Sequence, residues 1–173
     1  MTRFLLLPGL AAIFLMATPA AAQISISRSP PTSPVIGTVV RGSAATTFSV
    51  STAGMVTRVS GNAIRLSSAS ITRPTITLTC GTNSNCVNRD VRVTVTAGGV
   101  SGDGSITLFR IGTLTGATYR TFAPADAASL TFDLRPLGSG RSATFTLGMN
   151  VLLAAAANSA TGTFTFTVTA TFR

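Results

Sequence analysis

Hydrophobic and polar residues alternate along most of this chain, most strictly at its end. Phe164, Phe166, Val168, Ala170 and Phe172 fall at every second position from Thr163 onward, with threonines between them. A period of two gathers residues on one face of a strand and scatters them around a helix. The pattern recurs upstream. Ile76, Leu78 and Cys80 alternate with Thr75, Thr77 and Thr79, and Val91, Val93 and Val95 with Arg92, Thr94 and Thr96. Leu130, Phe132 and Leu134, then Phe145, Leu147, Met149 and Val151, supply two more inward faces. Looser patterns predict strands over Val35–Arg41, Thr46–Ser51, Met55–Val59, Ala63–Leu66 and Ser105–Ile111. A brief one at Gln23–Ser27 precedes the breakers Pro30, Pro31 and Pro34. Eight to ten strands, about a dozen residues apart and separated by Gly, Pro, Asn or Ser, predict an all-β sandwich or barrel.

Finer expectations follow from the same pattern. Thr75–Cys80 and Val91–Ala97 read as a hairpin-like unit. The closing strand is among the most apolar, which predicts a central place in its sheet. Gly116–Ala128 reads as loop, with a helical turn at Pro124–Ala128, and the alanines of Leu152–Asn158 predict a second short helical turn.

The start of the chain has a different character. A basic head at Arg3, an apolar run from Phe4 to Ala17 and small residues at Ala20-Ala21-Ala22 have the form of a secretory signal peptide, residues 1–22. Residues 23–173 then form one domain, exported to the periplasm, the cell surface or the medium, with no membrane insertion after cleavage. In an oxidising compartment Cys80 and Cys86 pair as a structural disulfide. A metal pair would need further ligands, and there is no His and no other Cys. A redox pair is usually separated by two residues.

Charge changes the picture little. Arginine is the only strong base, and the formal net charge is +9. The arginines form no dense run, and one Tyr with no Trp offers little base stacking, so nucleic acid is not an expected partner. Attraction to acidic glycan or an anionic cell-surface polymer fits better, which makes a monomeric secreted binding module one functional reading. Catalysis is not expected. Without His, Glu or Lys, four Asp and one Tyr are the tunable groups outside the cysteines, and the many Ser and Thr lack an activating base. Asp133, on the outward side of a strand, reads as a solvated charge. Gly102-Asp103-Gly104 brings one carboxylate where calcium wants six to eight oxygens, and no phosphate-binding glycine loop appears, so no cofactor is expected.

Three segments resemble a known type of protein: Ile36-Gly37-Thr38-Val39-Val40, Phe145-Thr146-Leu147-Gly148 through Ala157, and Ala160-Thr161-Gly162-Thr163-Phe164-Thr165-Phe166-Thr167-Val168. They are similar to strands of secreted, pilin-like subunits of Gram-negative bacteria, in a domain-of-unknown-function family near the Mat/Ecp common-pilus fimbrial subunits. Phe164 and Phe172 stand where that family often has Tyr, and the cysteine loop is not general to it. The resemblance implies an immunoglobulin-like β-sandwich that either completes itself or is completed by a neighbour's donor strand. It implies a non-enzymatic structural subunit of a fimbria or other surface assembly. Partners would be copies of itself, other pilin subunits or a periplasmic chaperone. Ile24 and Ile26 are the candidate donor pegs, and Phe164, Phe166, Val168, Ala170 and Phe172 the candidate acceptor strand.

Overall fold

The computed structural model of the chain describes residues 24–66, 71–82, 84–99, 104–155 and 164–173. The expected signal peptide, Gln23 and Asp103 lie outside them. The elements are β1 (Ile24–Ser29), β2 (Val39–Val40), β3 (Thr46–Val50), β4 (Val56–Ser60), β5 (Ile64–Arg65), β6 (Thr75–Cys80), α1 (Asn85–Asn88), β7 (Val91–Ala97), β8 (Gly104–Thr115), β9 (Ser129–Leu134), β10 (Ser142–Leu153) and β11 (Phe166–Phe172).

Period-two sequence becomes two sheets that bury their apolar faces against each other. The larger has the order β1-β6-β10-β3-β4, with β8 also paired to β10; the smaller is β11-β7-β9. All named pairings are antiparallel. A two-stranded ribbon, β2-β5, pairs with neither sheet, and Val39 in it packs against the core. The hub of the larger sheet is β10. Its first half pairs with β6, its second half with β3, and β8 runs beside both halves. A strand has two edges, so β6 and β3 share one edge of β10 end to end.

The core is the sum of the alternating faces. Ile76, Leu78, Phe145, Leu147 and Met149 from the larger sheet, and Val91, Val93, Val95 and Leu134 from the smaller, are completely buried. Aromatic edges bridge the layers. Phe145 meets Phe132 at 5.7 Å between ring centroids, and Phe109 meets Phe166 at 6.1 Å. Both pairs are edge-to-face, the arrangement that the ring quadrupoles favour.

Cys80 and Cys86 are disulfide-bonded and fully buried, with Cα atoms 5.8 Å apart. Closing so short a loop contributes about 2 kcal/mol in the chain-entropy model. The loop is not the turn of a hairpin. Strand β6 belongs to the larger sheet and β7 to the smaller, so the stapled segment carries the chain from one layer to the other. It is tied to the β9–β10 connection, where Gly138 N–H donates to the Cys86 carbonyl (2.8 Å) and Leu137 is buried.

Other expectations also change. β11 is an edge strand of the smaller sheet rather than a central one. Leu152 and Leu153 continue β10 instead of starting a helical turn, and residues 156–158 lie outside the described residues. Residues 124–128 form no helix. Ala127 instead exchanges two backbone hydrogen bonds with Phe109, at 2.7 and 3.2 Å.

The outward residues are in register too. On the larger sheet, Thr75, Thr77 and Thr79 of β6 stand opposite Ser29, Ser27 and Ser25 of β1. On their other side stand Thr146, Thr144 and Ser142 of β10.

Candidate functional site

The sandwich is open along one side, where the edge strands β1 and β11 neighbour each other. The phase of hydrogen bonding shows what this seam presents. Gly98 N–H donates to the Thr165 carbonyl (2.7 Å), and Arg173 N–H donates to the Asp90 carbonyl (2.9 Å). In an antiparallel ladder alternate residues bond the same neighbour. The odd-numbered residues of β11 therefore bond β7. Phe166, Val168, Ala170 and Phe172 turn their N–H and C=O groups away from it, toward the seam.

The same argument applies to β1. Cys80 N–H donates to the Arg141 carbonyl (2.9 Å), so the even-numbered residues of β6 bond the β10 side and the odd ones bond β1. Through the register Ser25↔Thr79, the serines of β1 face β6. Ile24, Ile26 and Arg28 aim their backbone groups at the seam. The registers also set direction. Ile24 lies beside Cys80 and Phe172 beside Val91, both next to the disulfide loop, so β1 leaves that end and β11 arrives there. Among the described residues, two unpaired strand edges thus neighbour each other, running antiparallel.

Between them is a shallow cleft of about 140 Å³ lined by Ile26, Ser27, Arg28, Ile76, Phe166 and Val168. It is smaller than the several hundred Å³ usual for a small-molecule site. The Arg28 guanidinium lies over the Phe166 ring, 5.0 Å from its centroid. Of the candidate donor and acceptor residues, Ile26, Phe166 and Val168 therefore share one cleft. Ile24 is buried in the core, while Ile26 is 37% exposed at the seam. Phe164 and Phe166 are buried, and Val168, Ala170 and Phe172 are partly so. Because β1 is bonded to β6 of its own chain, it would have to leave β6 before a neighbour could receive it.

The arginines are largely occupied as ties within the chain. Arg58, Arg65 and Arg73 donate to the carbonyls of Ala63, Ile36 and Thr52. Arg120 pairs with Asp90. Arg110 crosses the outer face of the larger sheet, bonding Asp126 (3.0 Å), Ser49 Oγ (2.6 Å) and Asn150 Oδ1 (3.1 Å). It can lie there because residue 148 is glycine; a Cβ would stand 2.7 Å from Arg110 Cγ.

Asp133 is no solvated charge. Arg92 holds it through two hydrogen bonds (2.9 and 3.2 Å), Arg173 pairs with it as well, and its side chain is 13% exposed. The hydrogen bond from Arg92, joined by Arg173, holds the carboxyl below the usual aspartate range despite some burial. A depressed native pKa adds stability above the unfolded value near pH 4, lost as pH falls through the native pKa. Asp133→Asn should therefore lower Tm at pH 7, and the gap to the parent should shrink as pH falls below the unfolded value near 4. Thermal melts at pH 7 and in acid check this; an unchanged gap in acid would refute it.

Among the described residues, no three or more of His, Cys, Asp and Glu converge as a metal site would require, and no buried side-chain nitrogen or oxygen lacks a partner. No helix among them is long and apolar enough to cross a membrane. Comparison with known proteins finds no matching family model, no matching curated protein and no matching solved structure.

Proposed function

We propose that this chain is a non-enzymatic structural subunit of a bacterial surface assembly, exported and joined to its neighbours by β-strand addition at the β1–β11 seam. The observation that carries this reading is the pair of free edges. Unpaired strand edges are templates for another strand, and proteins that have no use for them usually cover or charge them. Here the edge of β11 is formed by Phe166, Val168, Ala170 and Phe172, and a strand added along it would meet their outward backbone groups. Apolar residues at every second position of that strand would cover Ile76 and Phe166. An immunoglobulin-like sandwich completed in this way is the arrangement the resemblance to pilin-like subunits implies. Ile24 and Ile26 serve as donor pegs only if β1 exchanges between copies; otherwise another subunit supplies the strand. The glycan-binding alternative needs free guanidinium groups, and the many arginine ties within the chain weigh against it.

Proline tests the seam directly. The Ala170 N–H points into the gap, so Ala170→Pro removes a donor from the added strand and none from the β7 ladder. An edge strand tolerates proline at such a position. The expected result for residues 23–173 by size-exclusion chromatography with light scattering is polymer from the parent and folded monomer from Ala170→Pro. A monomeric parent at every concentration, or a variant that polymerises equally well, would overturn the reading.

A further inference from the structure

We propose that the cleft at the β1–β11 seam receives the phenyl ring of Phe122 from a second copy of the chain, so that copies join head to tail. The inference rests on the reading of the seam as the surface where subunits meet, and it names the group that enters there.

Phe122 is 86% exposed, and among the described residues it is the only exposed aromatic. Aromatic rings dominate interface energetics because of the area each can bury. This one is also held in place. Before it, Arg120 N–H donates to the Asp133 carbonyl (2.8 Å), and the Arg120 side chain pairs with Asp90. After it, Asp126 accepts from Arg110 (3.0 Å), and Ala127 makes its two backbone bonds with Phe109. A ring on a segment fastened at both ends loses little freedom on docking.

Its own cleft is out of reach. Tyr119 bridges Leu134 on the edge of β9 away from β7. Counted from β11, that position is three strand spacings away, about 14 Å. The segment then crosses to β8, which puts Phe122 on the side of the sandwich opposite the seam.

The cleft suits one ring. Its volume of about 140 Å³ is close to that of an apolar protein cavity, about 150 Å³, that holds a single benzene. Ile26, Ile76 and Val168 supply apolar walls, and no carboxylate lines it. The Phe166 ring and the Arg28 guanidinium, 5.0 Å apart, offer an entering aromatic an edge-to-face neighbour and a cation. A knob on one side of a molecule and its hole on the other make a heterologous contact, which extends a filament unless its rotation closes a ring.

The experiment is size-exclusion chromatography with light scattering on residues 23–173, with near-ultraviolet circular dichroism confirming the fold of each variant. Phe122→Ser should weaken self-association about 10–100-fold, the worth of one buried phenyl ring. Ile26→Trp, which sets an indole where the ring would lie, should weaken it as much. An equimolar mixture of the two variants should form a heterodimer and stop there, because the intact Phe122 of one meets the intact cleft of the other. A Phe122→Ser chain that associates like the parent, or a mixture that stays monomeric, would overturn the proposal. Ala170→Pro tells the two readings apart. Association lost in Ala170→Pro but kept in Phe122→Ser leaves strand addition standing without this contact, and the reverse leaves the contact without strand addition. A parent that stays monomeric at every concentration overturns both.

Discussion

Phe145→Ala is expected to destabilise the protein by about 3–5 kcal/mol, the usual cost of removing a buried phenyl ring. Phe145 is completely buried on β10, the hub of the larger sheet. Its ring packs edge-to-face on Phe132 of the smaller sheet (5.7 Å), and Phe132 packs in turn on Tyr119 (5.7 Å). Truncation removes contacts from both layers at once and leaves a void that strands held in register collapse into poorly. For a domain of this size the loss corresponds to a fall in Tm of roughly 10–15 °C. Phe145→Leu keeps much of the volume and should cost well under half as much. Urea titration of the oxidised protein reads both, and an alanine variant within about 1 kcal/mol of the parent would contradict this account of the core.

Thr46→Val should cost about 2–3 kcal/mol although it conserves shape, because the lost atom serves three backbone groups. Thr46 is a buried polar residue of the core, 1% exposed. Its Oγ1 accepts from Asn62 N–H (3.1 Å) and Ala63 N–H (3.0 Å) and donates to the Ala44 carbonyl (3.2 Å). These bonds fasten the turn between β4 and β5, where Gly61 has φ +81° and a Cβ would run into Thr46. Valine would leave two amides without an acceptor, one of them on the buried Ala63. Thr46→Ser keeps the oxygen and should recover most of the loss. A valine variant as stable as the serine variant would show that water replaces the hydroxyl there.

The inward faces of β6, β7, β9 and β10 are legible in the sequence because alternation states directly which residues share a side. Ile76, Val93, Leu134 and Leu147 all lie where their spacing predicts. Alternation does not say which sheet a strand joins. The short connection and the disulfide between Cys80 and Cys86 suit a tight hairpin as well as a crossing between layers, and the structure has the crossing. Apolar content does not separate an edge strand from a central one either, since β11 buries one face wherever it stands. The alanines after Leu153 carry helix propensity, but pairing with β3 and β8 draws Leu152 and Leu153 into β10. Asp133 reads as solvated from its place on the outward side, because its clamp comes from Arg92 and Arg173, 41 and 40 residues away. The seam follows from two edges meeting, which no local pattern encodes.

The hub strand governs the order in which the molecule can fold. Strands β3, β4 and β6 precede Ser142 in the chain, and β10 is what joins the β3–β4 pair to the β1–β6 pair. Until residues 142–153 emerge, those two pairs are separate ribbons with open edges, and a two-stranded ribbon alone is barely stable. Most of the sheet must therefore wait for a late, long-range closure, which makes folding slow and leaves strand edges exposed in the meantime. A nascent chain halted before β10 is the form most prone to aggregate, and a factor that shields β-edges would act on it before the seam exists.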